Sequence, residues 1–263
     1  MSVSIKYNGR GGNKIFQYVT AKIFCKKNEL NLSSSLESEL IETKENEKFE
    51  YETNGQIITL NHSSFSDDEL VFQGRNKIYI LDDYFQNCNY INNNLNLIDD
   101  FFQTKIFEKN YDDIVLHVRL DDKVHSKNLH TPESWDNAEI IHPNYYIGIL
   151  EKEKFEKVYI VVDKPKFSWE EKYLNYFKKF NPIFVSNSSK DDFEFIRKFN
   201  KIINSTSTFS YWSSFFSDAE YIYTFKKSGY FGNPMKFHGP HVKNLWNIKN
   251  KSIVIDNEFY FGD

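Results

Sequence analysis

The chain opens with the apolar-polar alternation of a β-strand and then changes to helical spacing. Residues 3–7 alternate as a strand, and a glycine-rich turn at 8–12 follows them. Residues 14–27 then repeat apolar side chains on one face of a predicted helix. The side chains on this face are Phe16, Val19, Ile23 and Phe24. Strand, glycine turn and helix form the unit that opens many nucleotide-binding and sugar-binding α/β domains.

The remainder of the first half is less regular. Residues 33–52 are polar and acidic, which predicts loop. A hairpin signal surrounds Asn54-Gly55, because short apolar runs flank that pair on both sides. A strand is predicted at 77–81 and a helix at 97–109.

After residue 113 the pattern becomes a regular alternation of strands and helices. Residues 114–118 are almost continuously apolar, which is typical of a strand buried on both faces of a parallel sheet. Further strands are predicted at 157–162, 183–185, 201–204 and 219–224, and helices at 143–152, 170–180, 191–199 and 208–216. The polar segment 110–113 is predicted to join two domains, residues 1–110 and 111–263. We therefore expect an α/β fold whose second domain has a doubly wound parallel sheet.

Composition excludes several classes of protein. The 263 residues are 40% hydrophobic and 17% aromatic, so packed cores are expected and global disorder is not. The net charge of -4 argues against a nucleic acid as partner, since that needs a concentrated basic face. No apolar run approaches the roughly 20 residues that span a bilayer, and the first residues do not resemble a signal peptide. Two cysteines, Cys25 and Cys88, cannot form a disulfide framework, so a cytoplasmic location is predicted.

The first candidate for chemistry is the turn at residues 9–13, Gly-Arg-Gly-Gly-Asn. Its glycines let a ligand approach the backbone, and the helix N-terminus behind them carries partial positive charge. The turn is not a P-loop, because Asn13 precedes Lys14 and because Ile15 stands where Ser or Thr would bind magnesium. A tight turn without a ligand is the alternative interpretation.

The second candidate stands at the carboxyl end of the buried strand. His117 and Arg119 lie where open parallel sheets bind their ligands. The forked guanidinium of Arg119 suits a diphosphate, and Lys123 offers a second positive charge. The alternative is a structural ion pair between Arg119 and either Asp121 or Asp122.

The third candidate is the hydroxyl-rich segment 204–212, at the end of a predicted strand and the start of a helix. Hydroxyls and unpaired N–H groups converge at such a place and can hold an anion. The alternative is ordinary N-capping by Ser207 or Thr208, which needs only one of these residues. The aromatic residues of the segment, Phe209 among them, also fit a core position.

No metal site is predicted. The chain lacks an Asp-x-Asp triplet that would hold a divalent ion for a nucleotide-sugar. His238 and His241 are close enough in sequence to suggest zinc, but no cysteine pair accompanies them.

Taken in order, these motifs resemble the α1,2-fucosyltransferase family and, more widely, the α1,6- and protein O-fucosyltransferases. The matching segments are Gly-Asn-Lys-Ile-Phe-Gln-Tyr at 12–18, Asp-Tyr-Phe-Gln-Asn at 83–87, His-Val-Arg-Leu-Asp-Asp at 117–122, Tyr145-Tyr146, Asp-Phe-Glu-Phe-Ile at 192–196 and Ser-Thr-Phe-Ser-Tyr-Trp at 207–212. They occur in the family's order and span nearly the whole chain. The chain departs from the family at Leu120 and Asp121, which replace Arg and Gly and make the phosphate site less positive.

The resemblance implies a GT-B fold, in which two Rossmann-type domains face a cleft. It implies an inverting, metal-independent transfer of fucose from GDP-fucose to a hydroxyl of a glycan acceptor, without a cofactor. The acceptor would lie mainly on residues before Asn110 and the donor mainly on residues after it. Arg119 would neutralise the β-phosphate as GDP departs, and Asn13 would face the reacting centre. The donor-binding candidates are Gly11, Gly12, His117, Asp122, Lys123, Asp163, Asp192, Ser207, Thr208 and Phe209.

Two other functions stay open at this point. The same fold could transfer another GDP-linked deoxyhexose, or the chain could be a degenerate domain that binds GDP or glycan without turnover. Retention of both Asn13 and Arg119 favours an enzyme, since binding alone would not require the pair. The sequence identifies no general base for the acceptor hydroxyl.

Overall fold

The structure is a computed structural model that describes residues 2–44, 55–103, 105–120, 140–225, 248–249 and 252–255. The chain divides into two compact units, of which the first contains Lys105 and the second begins at Ile106. This division lies before Asn110, where the sequence analysis places the domain boundary. Each unit is built around its own parallel sheet.

The first unit contains a four-stranded parallel sheet. Its strands are β1 (Ser2–Ile5), β2 (Asn31–Leu32), β3 (Gln56–Leu60) and β6 (Lys77–Leu81), and they lie in the order β2-β1-β6-β3. A two-stranded antiparallel ladder joins β4 (Phe65–Ser66) to β5 (Glu69–Leu70). The helices of this unit are α1 (Gly11–Asn28), α2 (Cys88–Asn92) and α3 (Leu95–Ile98).

Helix α1 begins at Gly11 rather than at the predicted Lys14, because the last two glycines of the turn, Gly11 and Gly12, already have helical backbone. Its predicted apolar face is confirmed, since all four side chains of that face are buried. The helix ends where Glu29 takes a left-handed conformation at φ 55°, and the N–H of Leu30 then bonds to the carbonyl of Cys25. The glycine turn is therefore short and tied directly to a buried helix.

The predicted helix at 97–109 is wrong. Helix α3 ends at Ile98, and Phe102 instead forms an antiparallel bridge with Thr43. Phe101 and Phe102 are buried, and Phe102 packs edge-on against Tyr18 of α1, a contact far along the chain that a local periodicity cannot reveal. The strand after Gly55 is confirmed as β3, but it pairs in parallel with β6, and the first arm of the predicted hairpin lies outside the described residues.

The predicted polar joint at 110–113 is also wrong, because these residues begin a strand. Asn110 holds them in place, as its Oδ1 accepts the N–H groups of Asp112 and Asp113 at 3.2 and 3.0 Å. Its Nδ2 donates to the carboxylate of Asp113 at 2.8 Å. The polar residues thus satisfy one another where the strand enters the sheet.

The second unit contains a six-stranded parallel sheet. Its strands are β7 (Asn110–His117), β8 (Val158–Val161), β9 (Ile183–Val185), β10 (Phe199–Ile203), β11 (Tyr221–Phe225) and β12 (Ile253–Ile255). The helices between them are α4 (Pro143–Leu150), α5 (Ser168–Asn175), α6 (Ser189–Ile196) and α7 (Thr208–Phe215). The strands lie in the order β12-β11-β10-β7-β8-β9, which is the order of Rossmann-type sheets. The predicted parallel α/β architecture is confirmed.

Helices cover both faces of this second sheet. Leu116 of β7 belongs to a buried cluster with Tyr146 of α4 and Tyr173 of α5. Side chains alternate between the faces of a strand, and Tyr159 of β8 lies on the other face. There its ring packs on Phe195 of α6, with the ring centroids 5.5 Å apart. Burial on both faces explains why the strands of this unit are so apolar.

Within the described ranges, no helix has the length and apolar character needed to cross a membrane. The predicted loop at 121–139 lies outside the described residues. The candidates Asp122 and Lys123 lie outside them as well, and so does the His238–His241 pair.

Candidate functional site

The strand order of the second sheet reverses between β7 and β10. Strand β7 is followed along the chain by β8 on one side, and β10 is followed by β11 on the other. Open α/β sheets bind ligands in the crevice outside the carboxyl ends of the strands at such a point. The segments leaving these two ends carry the second and third candidates of the sequence. The sheet thus brings together residues that lie 88 positions apart.

His117 is the last residue of β7 and is buried at this crevice. Its Nδ1 shares a hydrogen bond with Oγ of Ser205 at 2.7 Å, and its ring packs on Phe209 with a centroid distance of 5.1 Å. Burial lowers the pKa of His117 to about 3, with the charge of Arg119 as a further cause. The imidazole is therefore neutral near pH 7. A base with so low a pKa is poorly matched to proton abstraction, so His117 is suited to binding and positioning.

Arg119 reaches the start of helix α7. Its Nη1 donates a hydrogen bond to Oγ of Ser207 at 3.2 Å. Ser207 is also the N-cap of α7, because the same oxygen accepts the N–H of Phe209 at 3.2 Å. The N-capping that the sequence analysis gives as the alternative interpretation of this segment is thus present at Ser207. A guanidinium and the positive end of an eight-residue helix lie together here, and both attract an anion.

Serine hydroxyls fix the turn between β10 and α7. Ser210 donates to the carbonyls of Ser205 and Ser207 at 3.2 and 3.0 Å. The N–H of Ser207 donates in turn to Oγ of Ser205 at 3.2 Å. Thr208 follows as the first residue of the helix and is half-buried. Ser205 is absent from the predicted donor-binding set, although its position in the hydroxyl run was a signal for it.

Asp192 lies in the first turn of α6, and its carboxylate holds the preceding loop. It accepts the backbone N–H of Asn187 at 3.1 Å and the side-chain Nδ2 of Asn187 at 3.0 Å. Burial raises the pKa of Asp192, and the negative charge of Asp163 adds to that rise. Asp163 itself is exposed just beyond β8. The structure thus gives Asp192 a structural role, because its carboxylate holds the loop before α6.

The glycine turn of the first unit is filled by the protein's own side chains. Gly9 has a φ of +76°, and a Cβ there would lie 2.3 Å from Nδ2 of Asn13. A Cβ on Gly11 would lie 2.9 Å from the side chain of Leu40, and Gly12 is buried in helix α1. Close packing accounts for glycine at positions 9 and 11, as the tight-turn interpretation expects.

Asn13 connects this turn to the loop after β6. Its Oδ1 accepts a hydrogen bond from Nε2 of Gln86 at 2.7 Å. One turn further along α1, Gln17 closes the turn by exchanging two hydrogen bonds with the backbone of Asn8, at 2.7 and 2.9 Å. The segments 12–18 and 83–87, which both carry the resemblance, therefore meet at one edge of the first sheet.

The loop after β6 has a strained backbone. Phe85 adopts a φ of 52°, although it is a bulky residue without the freedom of glycine. Its side chain is completely buried and packs edge-on against Phe65. Packing holds this conformation in place, and such strain is concentrated at functional sites.

In the part of the chain that the structure describes, no group of three or more His, Cys, Asp or Glu side chains is arranged to hold a metal ion.

The packing of the glycine turn predicts a difference between two glycine substitutions. Gly9→Ala and Gly74→Ala both place a side chain at positive φ, which costs about 1–2 kcal/mol. Only at Gly9 does the new Cβ also meet neighbouring atoms, since nothing lies within 4 Å at Gly74. We expect Gly9→Ala to lower the free energy of unfolding by at least about 1 kcal/mol more than Gly74→Ala, measured by urea titration. Equal losses would contradict the described turn.

The buried histidine predicts a pH dependence of stability. The folded pKa of His117, about 3, lies below its usual 6.5, so the unfolded chain takes up a proton first as the pH falls. The stability contributed by the neutral ring is full above pH 6.5 and is lost toward pH 3. Between pH 7 and pH 5, the wild type should lose about 2 kcal/mol more unfolding free energy than His117→Gln. Parallel losses in urea titrations of the two proteins would argue against a buried neutral ring.

Comparison of the chain with protein-family models, with curated proteins and with solved structures finds no match. The assignment of a function therefore depends on the residues gathered at the two sheet edges.

Proposed function

We propose that the protein is an inverting glycosyltransferase that transfers fucose from GDP-fucose to a hydroxyl of a glycan acceptor. The observation that carries this proposal is the contact of Arg119 with the N-cap of α7 at the switch point of a Rossmann-type sheet. This edge joins a forked cation, a hydroxyl and a helix N-terminus, which together suit a diphosphate. The proposal includes the GT-B arrangement, with the donor on the second unit and the acceptor on the first.

In the proposed reaction the acceptor oxygen attacks C1 of fucose on the face opposite the leaving group. The bond between C1 and the β-phosphate oxygen breaks, and negative charge develops on GDP while the sugar becomes oxocarbenium-like. Arg119 neutralises that charge, and the hydroxyl of Ser207 donates a hydrogen bond to a phosphate oxygen. Because Ser207 already holds the guanidinium, little reorganisation is needed as the charge develops.

The neutral state of His117 supports this division of roles. A protonated imidazole beside Arg119 would place two positive charges in one buried site, and the low pKa of His117 avoids that. The ring is held by Ser205 and Phe209, so its orientation is fixed. A fixed neutral ring can position the donor by contact and leave the charge stabilisation to Arg119.

Two alternatives share the same nucleotide site. Leu120 and Asp121 make the phosphate site less positive than the family pattern, and this favours testing other GDP-linked deoxyhexoses beside fucose. A degenerate binding domain would hold GDP at Arg119 without turnover. Donor selectivity and GDP release distinguish these three functions.

Arg119→Ala should lower the rate of fucose transfer by about 10²–10³, the usual result of removing one strong electrostatic stabiliser. The measurement is GDP release from GDP-fucose with an oligosaccharide acceptor. Arg75→Ala is the matched control, because Arg75 pairs with Glu29 at the surface of the first unit. Near-wild-type turnover in Arg119→Ala would remove the assigned role.

A thermal-shift panel in EDTA should identify the donor class. GDP and GDP-fucose should stabilise the wild type by about 2.7 kcal/mol at 100 times their Kd, whereas UDP and ADP should not. Stabilisation should be lost in Arg119→Ala and retained in Arg75→Ala. GDP-mannose in the panel tests whether the protein distinguishes fucose from another GDP-linked sugar.

Transfer activity should persist in EDTA, and a loss of activity that Mn²⁺ restores would contradict metal-independent transfer.

A further inference from the structure

A carboxylate–histidine pair lies at the carboxyl edge of the first sheet. His62 follows β3 and Asp83 follows β6, and these are neighbouring strands. Oδ2 of Asp83 lies 2.7 Å from Nδ1 of His62 and also accepts the backbone N–H of His62 at 3.0 Å. Oδ1 of Asp83 accepts the N–H of Tyr84 at 2.7 Å. The carboxylate is therefore fixed on both oxygens.

The burial of the pair differs between its members. The Asp83 side chain is 14% exposed, whereas the His62 side chain is 34% exposed. The carboxylate is thus mostly withdrawn from water, and the imidazole can still be reached from outside. This is the arrangement in which a carboxylate orients a histidine that acts on a bound molecule.

The contact with Asp83 determines which ring nitrogen of His62 carries the proton. An ionised carboxylate only accepts hydrogen bonds, so Nδ1 must be the protonated nitrogen of the neutral ring. Nε2 then has the lone pair. The pair therefore has the chemistry of a general base.

The pair belongs to the same edge as the glycine turn. Strands β1, β6 and β3 are consecutive in the sheet, and the segments after them carry Asn13, Asp83 and His62 in turn. Asn13 bonds to Gln86, and a Cβ on Gly9 would lie 2.9 Å from the ring of Tyr84, the residue after Asp83. One continuous polar edge thus joins the turn to the histidine.

We propose that His62, oriented by Asp83, is the general base for the acceptor hydroxyl. The inference rests on the proposed function, in which the first unit binds the acceptor. As the acceptor O–H bond breaks, its proton moves to Nε2 of His62 and its electron pair forms the bond to C1 of fucose. The bond from C1 to the β-phosphate oxygen breaks, and its electrons leave with GDP. The imidazolium then releases the proton to water.

A purely structural role for the pair makes a different prediction. Asp83 also holds the 3-10 turn at His62–Ser64 through the backbone N–H of His62. That role needs the carboxylate but not an unprotonated Nε2. The protonation of the ring and the rate of transfer therefore separate the two roles, whereas stability alone does not.

The first test is ¹⁵N NMR of the full chain labelled at histidine, with His62→Gln identifying the signal of His62. The neutral ring should carry its proton on Nδ1 in the wild type. In Asp83→Asn the amide donates to Nδ1, and the proton should move to Nε2. A wild-type neutral ring that is protonated on Nε2 would overturn the role.

The second test is kinetic and uses GDP-fucose with a panel of neutral oligosaccharides that includes lactose. His62→Gln and Asp83→Asn should each lower kcat by about 10²–10⁴, the range for loss of a base or of its correct tautomer. The Kd for GDP-fucose should stay within about twofold of wild type. Asp82→Asn is the matched control, since this neighbouring carboxylate pairs with Lys6 at 2.7 Å, and it should keep the wild-type rate.

The outcomes separate this inference from the proposed function. If the protein transfers fucose and His62→Gln keeps the wild-type kcat, the role of His62 as general base is contradicted and the proposed function is retained. A wild type that does not bind GDP-fucose would overturn the proposed function and the role of His62 with it. Loss of transfer with intact donor binding in both variants, but not in Asp82→Asn, would support the base.

Discussion

The pairing of β7 with β10 determines where His117, Arg119 and Ser207 lie. Register brings Leu116 opposite Ile203, so that the two strands end together. The residues that follow, His117 and Ser205, then meet although 88 positions separate them. Two residues further along each segment, Arg119 donates a hydrogen bond to Ser207 in the same way. The meeting of these residues is thus a consequence of one ladder of backbone hydrogen bonds.

The pattern of apolar residues predicted those elements well whose side chains are buried within their own sheet. The strands at 77–81 and 183–185 have the predicted bounds, because alternation and short apolar runs report directly on a sheet. The prediction of a helix at 97–109 failed because the backbone of Phe102 pairs with Thr43 and its ring packs on Tyr18, both far along the chain. The candidates His117, Arg119 and Ser207 could be selected from their place after strands. Ser205 could have been selected from its place in the hydroxyl run, whereas the pair of His62 with Asp83 could not, since only the sheet reveals that these two residues meet.

Two histidines at two sheet edges show how the partner of a ring determines its chemistry. His117 is buried beside a cation and shares its bond with a hydroxyl, so its neutral form is favoured and its pKa falls to about 3. His62 is partly exposed and bonds to a carboxylate, which accepts only and so places the proton of the neutral ring on Nδ1. Residue type alone does not distinguish these positions. The neighbouring group and the degree of burial do.

The double use of Ser207 has a consequence for what the second unit can bind. Its hydroxyl oxygen has two lone pairs, and Arg119 and the N–H of Phe209 both donate to it. The oxygen is saturated as an acceptor, so what it offers a ligand is its single proton. Groups that only accept, as phosphate oxygens do, can use that proton, whereas ammonium and amide N–H groups gain nothing there. The hydrogen bonding of one serine thus favours acceptor groups over donor groups, independently of the charge of Arg119.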